Sequence, residues 1–295
     1  MNKSIEILKS IYKPYRYTIK GKSTILETTC GDFIIKPKNK DINELYTYLT
    51  NRGFINYPKI IDSSRDEVNV FEYVEDVKLP KEQKCDDLIE IIASLHNKTS
   101  YFKEVSEDRF KSIYEDVLSN INYLSNYYNT LYEIGFNEVY ASPSNYIFMR
   151  NYYKLNSALE YAKNELENWY SLVTSETKIR VCLIHNNLEL NHLLNDKLIS
   201  WDNYMIDTPV IDIVKLYKKE WKNINFSEIL ERYMYKFPLL EYEKKLLFIL
   251  ISMPPEIKKS DNEFEKCKVV SEVMDYVFKT EELIRPYNTE HEEEK

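Results

Sequence analysis

Cys182-Leu183-Ile184-His185-Asn186-Asn187-Leu188-Glu189-Leu190-Asn191-His192-Leu193-Leu194 decides the reading of this 295-residue chain. Its apolar start extends a predicted strand, Ile179 to Ile184, which runs into a loop of amides and imidazoles. Apolar residues return at Leu193 and Leu194 and again over Leu198 to Trp201. The turn residues Asn195-Asp196-Lys197 between them predict a hairpin of Asn191–Leu194 with Leu198–Trp201.

Towards the N-terminus, Tyr15 to Lys20, Thr24 to Thr28 and Asp32 to Lys36 are short β-branched or aromatic runs. Gly21-Lys22 and Cys30-Gly31 separate them, which predicts an antiparallel meander. Asp41 is placed to cap a helix to about Asn51, with Ile42, Leu45, Tyr46 and Leu49 at helical spacing and Gly53 at its end. Pro58 to Ile61 and Val68 to Tyr73 add two strands around Ser63-Ser64-Arg65-Asp66. The expectation is a five-stranded sheet with one inserted helix.

Helical stripes then take over. Leu88, Ile91, Ile92 and Leu95 mark the first, Phe110, Val117, Ile121 and Leu124 the second, and Ala162, Leu166, Trp169 and Val173 the third. Helices resume near Pro209, Ser227, Glu241 and Asp261. The fold class expected is α+β: a small antiparallel β lobe over residues 1–75, a helical lobe with an embedded hairpin over 76–288, and an acidic tail over 289–295. Glu75 to Lys84, with Pro80 inside it, is the expected connection.

Composition narrows the function. With 40 basic and 48 acidic residues, a general nucleic-acid surface is not expected, and Arg150 is the lone arginine among the tyrosines of 123–153. Those tyrosines are expected in the core, with an exposed subset as a protein-contact face. No apolar run reaches a membrane span, and the start of the chain has no apolar leader-like stretch. Cys30, Cys85, Cys182 and Cys267 lack paired spacing, so buried free thiols and a cytoplasmic location are expected.

The order of elements resembles the protein-kinase-like superfamily in its aminoglycoside and choline phosphotransferase branch, and looks closest to CotS-type spore-coat kinase-like proteins. Gly31-Asp32-Phe33-Ile34-Ile35-Lys36 resembles the strand that carries the nucleotide lysine, and Glu44 stands where a helix glutamate would hold Lys36. Val70-Phe71-Glu72-Tyr73-Val74-Glu75 resembles the hinge that receives adenine, which implies nucleotide contacts at Glu72 and Val74. Ile92-Ala93-Ser94-Leu95-His96 is similar to the family's L-A-x-L-H helix, with His96 structural, and Asp212 matches a structural aspartate at a helix start.

The family's loop reads H-G-D-L-x-x-x-N, its Asp serving as base and its Asn binding magnesium, and a following I-D-[FW] strand supplies a second metal ligand. In this chain Asn187 holds the base position, His192 the Asn position and Ser200 the metal-ligand position. An amide does not accept a proton at neutral pH, and a hydroxyl is a poor substitute for a carboxylate on magnesium. The glycine-rich phosphate loop is also missing. The resemblance therefore implies a pseudokinase with no cofactor, acting through protein partners, in the cytoplasm or the spore coat. The alternative is an active phosphotransferase using ATP and magnesium on a small-molecule acceptor, with Asp202 as a substitute ligand on the same strand face as Ser200 and Glu189 reaching toward the base position. Lys36 and the hinge alone would suffice for nucleotide binding without transfer. His185 and His192 are read as core or loop histidines, since they lack the third partner a zinc site requires.

Overall fold

The computed structural model describes residues 3–293. An N-terminal helix, α1 (Lys3–Tyr12), precedes the meander β1 (Arg16–Lys20), β2 (Ser23–Thr28) and β3 (Gly31–Pro37). The sequence pattern did not reveal α1, because its apolar face is short; Leu8 and Tyr12, one turn apart, pack on the sheet. β1 and β2 pair Lys20 with Ser23, leaving only Gly21 and Lys22 in the turn. Gly21 has φ of 57°, the left-handed conformation that a first central turn residue of this kind requires.

α2 (Ile42–Asn51), β4 (Ile60–Asp62) and β5 (Val68–Glu72) complete the sheet, whose strand order is β1-β2-β3-β5-β4. The Asp41 side chain accepts a hydrogen bond from the Asn43 N–H at 2.9 Å, as an N-cap should. At the other end Gly53 (φ 70°) donates to Thr50 O and Phe54 to Leu49 O, the paired bonds of a Schellman stop. Period-two alternation sorts the sheet's side chains. Leu26, Ile35 and Val70 face Leu8 of α1 in one core, while Ile34, Lys36 and Phe71 face the opposite way.

The remaining elements are α3 (Lys81–Thr99), β6 (Tyr101–Glu104), α4 (Glu107–Phe136), α5 (Pro143–Val173), β7 (Lys178–Ile184), β8 (Leu193–Leu194), β9 (Lys197–Leu198), β10 (Met205–Asp207), α6 (Val210–Glu220), α7 (Phe226–Lys236), α8 (Glu241–Ser252) and α9 (Glu263–Glu293). The result is the expected α+β arrangement, an antiparallel sheet region followed by helices. The chain divides into two compact units. One holds the residues up to Ser100 together with Cys182–Ile206, and the other holds Tyr101–Val181 and the residues from Asp207 onward. The loop picked out by sequence thus belongs to the sheet-bearing unit.

In the second unit, β6 pairs antiparallel with β7, and α4 through α9 enclose an aromatic core containing Trp169, Tyr128, Tyr217, Tyr233 and Tyr276. The buried phenols have partners: Tyr128 donates to Pro255 O at 2.6 Å and Tyr276 to Ile251 O at 2.7 Å. Of the tyrosines in 123–153, Tyr128 is buried, whereas Tyr123, Tyr140, Tyr146 and Tyr153 are exposed. Asp212 and His96 are fully buried.

Three expectations need correction. Of the thiols, Cys85 and Cys182 are buried, but Cys30 is exposed and Cys267 half-buried. The backbone through Glu293 continues α9, so the expected acidic tail does not begin at 289; Glu294 and Lys295 lie outside the described residues. The hairpin is also shorter than expected, because Asn195-Asp196 alone makes its turn and helical 3-10 turns flank it at Leu190–His192 and Trp201–Asn203. No helix among the described residues is long and apolar enough to cross a membrane.

Candidate functional site

The loop after β7 is tied down from within. His185 is fully buried, its Nε2 2.8 Å from Ile199 O and its ring edge-on to Trp201 at 4.9 Å between centroids. Asn186 takes φ of 60°, a left-handed conformation that asparagine tolerates better than most side chains, and its amide donates to Asn203 O at 3.0 Å. His192 places Nδ1 2.7 Å from Asn187 O and Nε2 2.9 Å from a Glu189 carboxylate oxygen. Both ring nitrogens therefore face protein oxygens. The same contact holds Glu189 on His192, which corrects the expectation that Glu189 reaches toward the base position.

Leu198 donates to Asn56 O at 3.0 Å, and Asn56 donates to Asp196 O at 2.9 Å, anchoring the hairpin to the segment between α2 and β4. Ser200 follows β9 at φ of 66° and opens a 3-10 turn. The extended strand that was to put Ser200 and Asp202 on one face has ended by then. Both residues nevertheless line one pocket in this unit, with Lys36, Glu72 and Val74.

Inside that pocket Lys36 Nζ donates to Ser200 Oγ at 3.4 Å, a long bond for an ammonium. Burial lowers the pKa of Lys36 below the ordinary lysine value, and the Asp202 carboxylate only partly offsets it. Glu44 does not join them. It is exposed, and no ion pair among the described residues links it to Lys36, because the helical phase that turns Ile42, Leu45, Tyr46 and Leu49 inward turns position 44 to solvent. Tyr46 takes the inward place and lines the pocket with Ile42. Burial foremost, then Tyr57, Asp202 and Glu72, raises its phenol pKa, so it stays neutral. Sequence reasoning had assigned Tyr46 to the core stripe alone.

Glu72 accepts a hydrogen bond from the Lys59 N–H at 2.9 Å and donates its own N–H to Lys59 O at 3.0 Å. Val74 belongs to the connection between β5 and α3. Asn187 and His192 bind each other, while Lys36, Ser200, Asp202, Glu72 and Val74 share the pocket, so the predicted residues form two groups in one unit.

The oxygen ligands this pocket offers a magnesium ion are few. The pocket has a volume of about 40 Å³, against the ~300 Å³ or more of ordinary small-molecule sites. Its ligand candidates are the carboxylates of Asp202 and Glu72, the latter bound to Lys59, and the Ser200 hydroxyl. No group of three His, Cys, Asp or Glu side chains suited to a metal occurs among the described residues. The two-residue β1–β2 turn has no backbone to fold over a phosphate.

No family model matches the chain, and no curated protein matches its sequence. Solved structures do match in fold. An aminoglycoside phosphotransferase from Alicyclobacillus acidocaldarius superposes with a TM-score of 0.68 at 9% identity, covering 94% of this chain and 93% of that one. Spectinomycin phosphotransferase in its AMP-bound complex gives 0.56 at 13% identity, covering 93% and 97%. Its complex with ADP and spectinomycin gives 0.51 at 13% identity, covering 94% and 97%. At these identities the likeness establishes a kinase-like phosphotransferase fold.

Proposed function

We propose that this chain uses a phosphotransferase fold for binding and assembly, as a pseudokinase that does not transfer phosphate. The observation that carries the reading is the pocket of about 40 Å³ in which Lys36 meets a hydroxyl at 3.4 Å. Phosphoryl transfer depends on positioned cations and a base around the migrating group. Here an asparagine holds the base position and a histidine bonded on both nitrogens holds a metal position.

A protein partner is the proposed ligand class. The turn between α4 and α5 supports it, with Val139 89% and Tyr140 91% exposed beside exposed Ile134 and Phe136. The CotS-like motifs support the narrower reading that the partner belongs to the spore coat, tested by recovery of the chain in the coat fraction of spores. The contact residues assigned to a nucleotide, Lys36, Glu72 and Val74, are on this reading remnants of a site.

Melting the protein with ATP, with and without magnesium, tests the proposal. A ligand at 100 times its dissociation constant raises stability by about 2.7 kcal/mol. No shift with either form is expected, and a magnesium-dependent shift contradicts the proposal. The second reading, a phosphotransferase with a relocated metal ligand, is favoured by one observation: Asp202 lines the pocket of Lys36 and acts on it electrostatically. It requires that the magnesium-dependent shift appear and be lost in Asp202→Ala.

A further inference from the structure

We propose that the second unit carries a small-molecule site between α5, α8 and α9, shaped for an uncharged ring compound bearing one or two hydroxyl or amide groups. A cavity of about 340 Å³ lies there, within the range of ordinary ligand sites and several times larger than the pocket around Lys36. Ala158, Val277 and Ile284 give it an apolar wall against which a ring would pack.

Its polar groups are set for hydrogen bonding. Ser252, in the last turn of α8, is only 5% exposed and lines the cavity. A helical serine commonly bonds back to the carbonyl one turn earlier; the Ser252 hydroxyl engages no group among the described residues. Ser252 Oγ is not among the buried atoms left without a partner, so it opens onto the cavity, where a bound acceptor or donor would take the place of water. Ser157 on α5 is exposed at the rim of the cavity. Thr280 on the same wall is already engaged, donating to Tyr276 O at 2.8 Å and meeting Tyr217 Oη at 2.7 Å. Tyr161 donates to Asn288 Oδ1 at 3.2 Å, and its phenol, pushed up to about 12 chiefly by burial, stays neutral.

Charge fixes the ligand class. The charged side chains on the cavity are Lys154 and Glu281, paired at 2.8 Å and 23% and 45% exposed, which puts them at its mouth. They neutralise each other, so an ionic ligand would have to break the pair and lose hydration without a free counter-charge.

The probe is 2-naphthol, an uncharged aromatic with one hydroxyl, titrated into the full chain at neutral pH and followed by its fluorescence. Saturable one-to-one binding is expected, with a dissociation constant of about 0.1 mM for a ligand of this size. Ser252→Ala should weaken it by about five-fold, the worth of one hydrogen bond, and Ser157→Trp at the rim should abolish it. 2-Naphthyl phosphate should bind at least ten-fold more weakly. Absence of saturable binding, affinities unchanged in both variants, or equal affinity for the phosphate would each overturn the proposal. If Ser157→Trp fails to fold, Ser252→Ala and the phosphate comparison decide the matter.

Discussion

Arg180 and Lys36 are both cations drawn into the protein beside residues distant in sequence, and the two units treat them in opposite ways. In the second unit Arg180 forms a two-pronged pair with Glu243, whose side chain is 0% exposed, through Nε at 3.0 Å and through Nη2. Nη2 also reaches Pro238 O at 2.8 Å, and the guanidinium lies over the Phe237 ring. Glu243 in turn accepts from the Leu240 N–H at 2.9 Å, fixing the start of α8. Every strong group there has a matched partner. Lys36 has one long bond to a hydroxyl and the field of Asp202. The first arrangement is a structural joint, and in the second the cation has no ion pair among the described residues.

The largest effect that would break this comparison lies at the joint. Glu243→Ala leaves the Arg180 guanidinium buried without its partner, and a loss of about 3–5 kcal/mol in unfolding free energy is expected by denaturant titration. An equivalent loss in Asp202→Ala would show that the two sites are alike after all. Replacing both joint residues, Arg180→Met with Glu243→Leu, should recover most of the loss, since the cost comes from the stranded charge.

Next in size is Ser200→Asp. It gives Lys36 a carboxylate at the position of its present hydroxyl partner, and aspartate tolerates the left-handed backbone found there. A gain of about 1–2 kcal/mol is expected, together with a rise of the Lys36 pKa toward the ordinary value, read from its side-chain NMR signals. An unchanged Lys36 titration would mean that Ser200 does not govern it.

Smaller still is Lys36→Met. Because burial lowers the Lys36 pKa, the folded state disfavours the ammonium that the unfolded chain accepts, and that cost is full below the lowered pKa. Removing the charge should therefore stabilise the protein by about 1 kcal/mol near pH 7. The advantage should fade as the pH rises through the lowered Lys36 pKa toward that of an unfolded lysine. Destabilisation at neutral pH would show that Lys36 is a structural partner on the Arg180 pattern.

The sheet and the major helices were legible because their signals are local: alternation in β2 and β3, the Asp41 cap, Gly53 at a left-handed stop. Glu44 was misassigned although the evidence was at hand, since the stripe that identifies α2 already places 44 outside and Tyr46 inside. β6 was not legible, because Tyr101–Glu104 is exposed throughout and becomes a strand only by pairing with β7. The end of the strand before Ser200 was hidden because serine gives no sign of a left-handed backbone. The residue types at 187, 192 and 200 were legible, and so was the loop that carries them. The bond between Glu189 and His192 is local, made within one 3-10 turn, whereas the smallness of the Lys36 pocket depends on tertiary packing. So does the cavity between α5, α8 and α9, whose walls are spread over more than 130 residues of sequence.

Manganese, a paramagnetic stand-in for magnesium, tests most directly whether the Lys36 pocket holds a divalent ion. The free Mn²⁺ signal is measured by electron paramagnetic resonance as protein is added in the presence of ADP, with Ser200→Asp run alongside. The signal should stay unchanged with the natural sequence and fall only with the variant. A fall with the natural sequence that disappears in Asp202→Ala would contradict the account.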